Sequence, residues 1–205
     1  MIDIVFATRN SGKLREIKEY FQGTKYRILS LDDIGVSVEV VEDGTTFEEN
    51  AAKKAREICL VCNKLTLADD SGLEIDALNG APGVDSANFL GTHTPYAVRN
   101  AKIVEMLAHT PQAKRGARFV CVIAIAIPGP GRDASVRTVR AQVEGQIAQT
   151  PAGEGGFGYD PIFYLKEFGL TTAQLDVEAK NKISHRGRAL KLALKELEKL
   201  EENLL

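Results

Sequence analysis

Hydrophobic positions along the chain switch repeatedly between two spacings, and the switching lays out alternating strands and helices. Ile2 to Ala7 is an almost unbroken apolar run apart from Asp3, which predicts a buried first strand. Leu14, Ile17, Tyr20 and Phe21 recur at helical spacing, Gly23 marks the stop, and Tyr26 to Leu31 predicts the next strand. Thr46 with Glu49 three residues on is a capping-box pattern, and Phe47, Ala51, Ala55, Ile58 and Cys62 supply the buried stripe of the helix it opens. Leu65 to Ala68 predicts a short strand ending in Asp69-Asp70-Ser71-Gly72, and Leu73 to Leu78 alternates like a further strand. Thr94-Pro95 predicts a cap followed by proline at the first helical position, with a helix to about Ala108. Arg118 to Ile127 is apolar enough to be covered on both faces. The turn from Pro128 to Arg132 returns the chain into Val136 to Ile147, a longer and more polar strand suited to a two-sided or edge place, so the two form an antiparallel hairpin. A Gly-rich loop from Gly153 to Gly158 and a short apolar run, Ile162-Phe163-Tyr164, come next. An amphipathic helix from Ser184 to about Leu204 closes the chain, with Leu190, Ala193, Leu194, Leu197 and Leu200 on one face. The fold class is α/β with a mixed sheet.

Composition narrows the classes. With 205 residues, 44% hydrophobic and 26% charged, the chain fits one large domain or bilobed unit and excludes collagen-like, mucin-like and coiled-coil proteins. A net charge of −2 argues against a general binder of nucleic acid or of anionic membranes. No apolar run approaches the roughly 18 residues of a membrane span. The first residues read as a strand rather than a signal peptide, and three cysteines are too few for a disulfide framework, so the expected address is cytoplasmic. Cys59-x-x-Cys62 has no second pair and lies in a helical pattern, which favours core packing over zinc or redox chemistry.

Four segments carry candidate chemistry. Ala7-Thr8-Arg9-Asn10-Ser11-Gly12-Lys13 joins the first strand to the first helix. Small polar residues, a helix N-terminus and a lysine suit an anion, although the Walker pattern is absent and a plain capped turn remains open. Asp69 and Asp70 are adjacent carboxylates at a strand end, suited to holding Mg²⁺ and taking a proton from water. Their neighbours are also turn formers. Glu42 and Asp43 are further hard oxygen ligands or a solvated loop. Gly153, Gly155 and Gly158 match G-x-G-x-x-G, but Pro161 and a strand-like run follow, which rejects a dinucleotide fold. That leaves an open loop in which Phe157 can stack on a base and Asp160 can accept a hydrogen bond, or a structural turn. Lys180 to Arg188 gathers Lys180, Lys182, His185, Arg186 and Arg188 at a helix start, where cations are electrostatically unhelpful to the helix. An anionic partner or a solvated face accounts for them.

Read together, the segments fit a Mg²⁺–nucleoside triphosphate, and their motifs resemble the Ham1/RdgB-type inosine/xanthosine triphosphate pyrophosphatases. The matches are Ala7-Thr8-x-Asn10-x-x-Lys13, Gly44-x-Thr46-Phe47-x-Glu49-Asn50-Ala51, Ala68-Asp69-Asp70-Ser71-Gly72-Leu73, Gly80-x-Pro82-Gly83, Gly155-Gly156-Phe157-Gly158-Tyr159-Asp160-Pro161 and Ile183-Ser184-His185-Arg186-Gly187. They run in family order over almost the whole chain. The resemblance implies an elongated mixed sheet flanked by helices, with two lobes around a central cleft. It also implies a single bilobed domain over residues 1–205 and a homodimer. The implied reaction is Mg²⁺-dependent hydrolysis of ITP, dITP or XTP to monophosphate and pyrophosphate. By position, Thr8, Arg9, Asn10, Ser11, Gly12, Lys13 and Lys54 would hold the triphosphate. Asp70 would be the general base and, with Glu42, a metal ligand, and Ser71 would touch substrate. Phe157, Gly158, Tyr159 and Asp160 would line the base and ribose pocket, and Lys180, His185 and Arg186 would read the purine. The chain departs from the family at Asp85 and at Asn88, where an arginine is common; this bears on substrate ranking. Two other readings use the same residues: a nucleotide sensor without turnover, disfavoured by the intact Asp69, Asp70 and Glu42, and nucleic-acid binding through the basic segment, disfavoured by the net charge.

Overall fold

The computed structural model describes residues 1–176, 180 and 183–202; Asn181 and Lys182 of the basic segment and Leu204 at the end of the last helix lie outside the described residues. The strands are β1 Ile2–Phe6, β2 Tyr26–Leu29, β3 Thr66–Ile75, β4 Gly116–Pro128, β5 Ala134–Ile147, β6 Phe163–Leu165 and β7 Leu170–Thr171. The helices are α1 Ser11–Phe21, α2 Phe47–Cys62, α3 Tyr96–Met106 and α4 His185–Glu202. The strands follow the order β2-β1-β3-β4-β5-β6-β7 in one sheet. β1 pairs in parallel with β2 and with β3, as helical crossovers require, while β5–β6 and β6–β7 are antiparallel. The β4–β5 turn is closed by the Gly129 N–H donating to the Asp133 carbonyl at 2.8 Å. The mixed α/β sheet is therefore the one the hydrophobic pattern predicts.

Three details differ from that pattern. The stretch expected to turn at Asp69–Gly72 stays in β3, which runs unbroken from Thr66 to Ile75. Turn propensity loses because β3 has a neighbour on each side and its two carboxylates find partners within the fold. Helix α3 begins one residue later than expected. Pro95 is the cap residue, with extended backbone (ψ 145°), and the Thr94 hydroxyl donates to the Leu90 carbonyl instead. β5 takes the two-sided rather than the edge place that its polar alternation suits, and at its end it meets β6 through the pairs Gln146–Tyr164 and Ile147–Phe163. Cys62 is only half-buried, and it is Cys59 that joins the buried side of α2.

The chain divides into two compact units. The first comprises Met1–Asp70, Cys121–Arg140 and Ala189–Leu205, and the second Ser71–Val120 and Ala141–Arg188. In the first, Ile4, Val5 and Phe6 of β1 are buried with Ile17 and Phe21 of α1 and Phe47, Ala51 and Ile58 of α2. The core of the second gathers Leu73, Ile75, Ile103, Leu107, Phe119 and Phe163. Among the described residues, no helix is long and apolar enough to cross a membrane.

Candidate active site

In the first unit, the β1–α1 connection is built by its own polar side chains. Asn10 caps α1, its Oδ1 accepting the Lys13 N–H at 3.1 Å, and the Thr8 hydroxyl accepts the Asn10 N–H at 3.1 Å. Ser11 and Gly12 form the first turn, so their amides lie at the positive end of the helix dipole. Arg9 is exposed, 3.9 Å from Asp32. Thr8, Arg9, Glu42 and Lys54 line an open pocket of about 170 Å³ with Leu31 and Ile58.

Side chains alternate along β3, which separates the roles of its two carboxylates. Asp69 is buried and pairs with Lys13, Nζ to Oδ2 at 2.9 Å. Asp70 is buried and accepts from Asn50 Nδ2 at 3.1 Å, while Asn50 Oδ1 accepts the Gly44 N–H at 2.8 Å. Burial pushes the Asp70 carboxyl up to about 6 against the pull of Lys54, Lys13 and the Asn50 amide, and the negative charge of Glu42 adds to the rise. Glu42 in turn pairs with Lys54 at 2.9 Å. A carboxylate with a proton affinity this close to neutrality, held by an oriented amide and flanked by two ammonium groups, is equipped to take a proton beside an anionic substrate.

Asn50 has no role in the sequence reading. Its signal was present: a polar residue one position from Ala51, on the stripe that faces the core. The capping box that orients its helix is complete, with Thr46 Oγ1 accepting the Glu49 N–H and the Glu49 carboxylate accepting the Thr46 N–H.

The second unit carries the aromatic loop. Phe157 is 38% exposed, and its ring is approached by Lys180 Nζ at 5.2 Å and by the Arg186 guanidinium at 5.6 Å. Asp160 is buried: Oδ2 accepts the Phe157 N–H at 2.8 Å and Lys180 Nζ at 2.6 Å, and Oδ1 accepts the Thr172 hydroxyl at 2.8 Å. Tyr159 is buried too, its hydroxyl donating to the Ser86 carbonyl at 2.8 Å. Asp160 and Tyr159 thus shape the loop from within, whereas Phe157 is the member offered to solvent. Gly156 has a positive φ of 72°, and a Cβ there would press on Asp160 and lie 2.8 Å from Lys180 Nζ. The His185 ring stacks on Phe119, centroids 4.8 Å apart and 21° between planes. Gly158, also at positive φ, forms the turn between Phe157 and Tyr159. Ser71 is half-buried on β3. The structure thus gathers Lys13, Lys54, Glu42 and Asp70 in the first unit, and Phe157, Asp160, Lys180 and Arg186 in the second.

Among the described residues, no three His, Cys, Asp or Glu side chains stand together as a preformed metal cage. Glu42 and Asp70 nevertheless form a hard oxygen pair whose mutual repulsion a divalent cation would relieve. Two carboxylates are the donor set that suits Mg²⁺, which keeps waters and takes its remaining ligands from phosphates.

Comparison with known proteins agrees with the motif order. The Ham1 family model matches residues 4–196. The dITP/XTP pyrophosphatase of Desulforamulus reducens is 49% identical over 197 residues, 96% of each chain. That of Bacillus subtilis is 45% identical over 198 residues, 97% of this chain and 98% of its own. The structure of a HAM1 protein from Coxiella burnetii superposes with a TM-score of 0.88 at 40% identity, covering 97% of this chain and 100% of that one. Because the matched region runs from β1 to well inside α4 and carries both clusters of side chains, the chain belongs to the Ham1 family.

Proposed function

We propose that this protein hydrolyses dITP, ITP and XTP to the nucleoside monophosphate and pyrophosphate. The observation that carries this reading is Asp70: a buried carboxylate raised to about 6, fixed by Asn50 and flanked by Lys13 and Lys54. At neutral pH Asp70 is ionised, yet basic enough to accept a proton from an attacking water, which is the match general-base catalysis requires. Lys13, Lys54 and the amides of the first turn of α1 offset charge on the triphosphate, with Thr8, Arg9, Asn10, Ser11 and Gly12 shaping that end of the site. Glu42 and Asp70 would hold Mg²⁺, which when bound neutralises charge on the departing pyrophosphate.

In the second unit, Phe157 offers a face for the purine, and Lys180, His185 and Arg186 supply donors for a 6-oxo group. Gly158, Tyr159 and Asp160 set the loop, and Ser71 contacts substrate. Donors placed for a 6-oxo group are left unpaired against a 6-amino group, and such mismatches discriminate strongly. We read residues 1–205 as one catalytic domain that works as a homodimer, binds no nucleic acid and acts in the cytoplasm. Cys59, Cys62 and Cys121 form no disulfide, which suits a reducing compartment.

The test is incubation with dITP, ITP, XTP, ATP and GTP, with and without Mg²⁺, measuring pyrophosphate. Selective pyrophosphate release from the first three is expected. Orthophosphate as the first product, or ATP turned over equally well, would overturn the reading.

A further inference from the structure

Helix α3 inverts the usual pattern of a surface helix. Its buried residues are Arg99, Asn100 and Ile103, whereas Val98 and Met106 stand 51% and 47% exposed. Burying a guanidinium and an amide while apolar side chains face water is unfavourable unless the polar groups are bonded. Arg99 gathers three carbonyls: Nη1 donates to Ser86 at 3.3 Å and Ala87 at 2.6 Å, and Nη2 to Gly91 at 2.9 Å. Asn100 Nδ2 donates to the Gly158 carbonyl at 3.0 Å. Neighbouring helical residues project about 100° apart, so this one dipeptide reaches two different loops.

The two loops are tied to each other as well. The Ser86 carbonyl that Arg99 holds also accepts the Tyr159 hydroxyl at 2.8 Å. Tyr96, from the first turn of α3, meets the Tyr159 ring edge-on at 5.2 Å, and the Arg99 guanidinium lies 4.8 Å from the centre of the Tyr96 ring. Gly158 sits between Phe157 and Tyr159 in a left-handed turn (φ 68°), so holding its carbonyl fixes the direction in which the chain presents Phe157.

We infer that Arg99 and Asn100 are positioning residues for purine recognition. Through the Gly158 carbonyl and the Ser86–Tyr159 bond, they hold Phe157 where Lys180 and Arg186 flank its ring. The inference rests on the reading of Phe157 as the face that meets the base. It assigns a role in binding and selectivity to residues that touch neither the phosphates nor the base.

The experiment combines steady-state kinetics with amide hydrogen exchange on wild type, Asn100→Ala and Arg99→Lys, the last keeping the charge but not the fork that spans three carbonyls. Loss of one buried bond predicts that KM for dITP and XTP rises about tenfold in Asn100→Ala while kcat holds within about threefold. The pH profile set by Asp70 stays in place. The Phe157 and Asp160 amides, both hydrogen-bonded in the structure, exchange about tenfold faster. Unchanged exchange at these two amides, or a fall in kcat at constant KM, overturns the inference. Loss of protection throughout the second unit in both variants also overturns it, because the pair would then be holding a core rather than a loop. A wild-type protein inert toward every triphosphate would sink the proposed function, while the exchange measurement still decides the anchor.

Discussion

Replacing Asp70 by asparagine should stabilise the nucleotide-free protein at neutral pH while abolishing turnover. The carboxyl lies at about 6 in the fold against an ordinary 3.8, so the native state holds its proton more tightly than the unfolded chain does. The penalty for the charged form is therefore absent below about 3.8, grows as pH rises, and is complete above about 6. The gap between these two values corresponds to about 3 kcal/mol at pH 7.5, and to about half that at pH 5. Asparagine mimics the neutral carboxyl and can keep an oxygen toward Asn50 Nδ2, so it escapes most of this penalty. Urea unfolding of both proteins at the two pH values is the assay. A gain of a few kcal/mol at pH 7.5 that shrinks by about half at pH 5 is expected. Destabilisation at pH 7.5, or a difference indifferent to pH, would refute the argument that burial dominates at this carboxylate.

The acid limb of kcat/KM should lie near pH 6 and move upward in Lys54→Met, because Lys54 is the strongest group pulling the Asp70 carboxyl down; a limb that moves downward or stays fixed contradicts this. Lys13→Met removes the 2.9 Å ion pair with the buried Asp69 and should lower stability by about 2 kcal/mol or more, measured by urea unfolding. Gly156→Ala forces a side chain into positive φ against Asp160 and Lys180; a stability loss above about 1 kcal/mol and a sharp rise in KM are expected from unfolding and kinetics.

Much of the first unit was legible in the sequence because its signals are local. A capping box, a helix stop at Gly23 and an apolar first strand are decided within a few residues, and the structure keeps them at Thr46–Glu49, α1 and β1. Asp70 and Lys13 stood out by motif rather than by local spacing, since in isolation each segment also suited a turn or a plain capped helix start. The partners of those residues were not legible. Asn50 reaches Asp70 across 20 positions and Asp160 reaches Thr172 across 12, and nothing in residue spacing announces such pairings. Turn propensity at Asp69–Gly72 misled because it measures a preference of the isolated chain, which β3 overrides with a neighbour on either side. The inverted face of α3 stayed hidden because period alone marks Val98 and Met106 as candidates for burial and Arg99 as surface.

The positions that break the hydrophobic pattern sort by what they orient. In the first unit, Asp69 and Asp70 in mid-strand and Asn50 on the inner stripe of α2 are polar residues buried where apolar ones would be more stable; Asn50 bonds Asp70, and Asp69 pairs with Lys13. In the second, Asn100 and Asp160 bond the backbone at Gly158 and Phe157, while Arg99 holds the Ser86 carbonyl to which the Tyr159 hydroxyl is tied. Violations of this kind persist where function needs them. Their separation carries a consequence for selectivity. If the groups that set proton transfer also oriented the base, a substitution that relaxed recognition would slow the chemistry as well. With the two sets carried by different residues, bonded to different elements, Asn50→Ala should act mainly on kcat and Asn100→Ala mainly on KM. In kcat/KM the two effects should add when the substitutions are combined, because they share no bonded partner. A combined loss well short of the sum would mean that proton transfer and base orientation respond to one shared structural change.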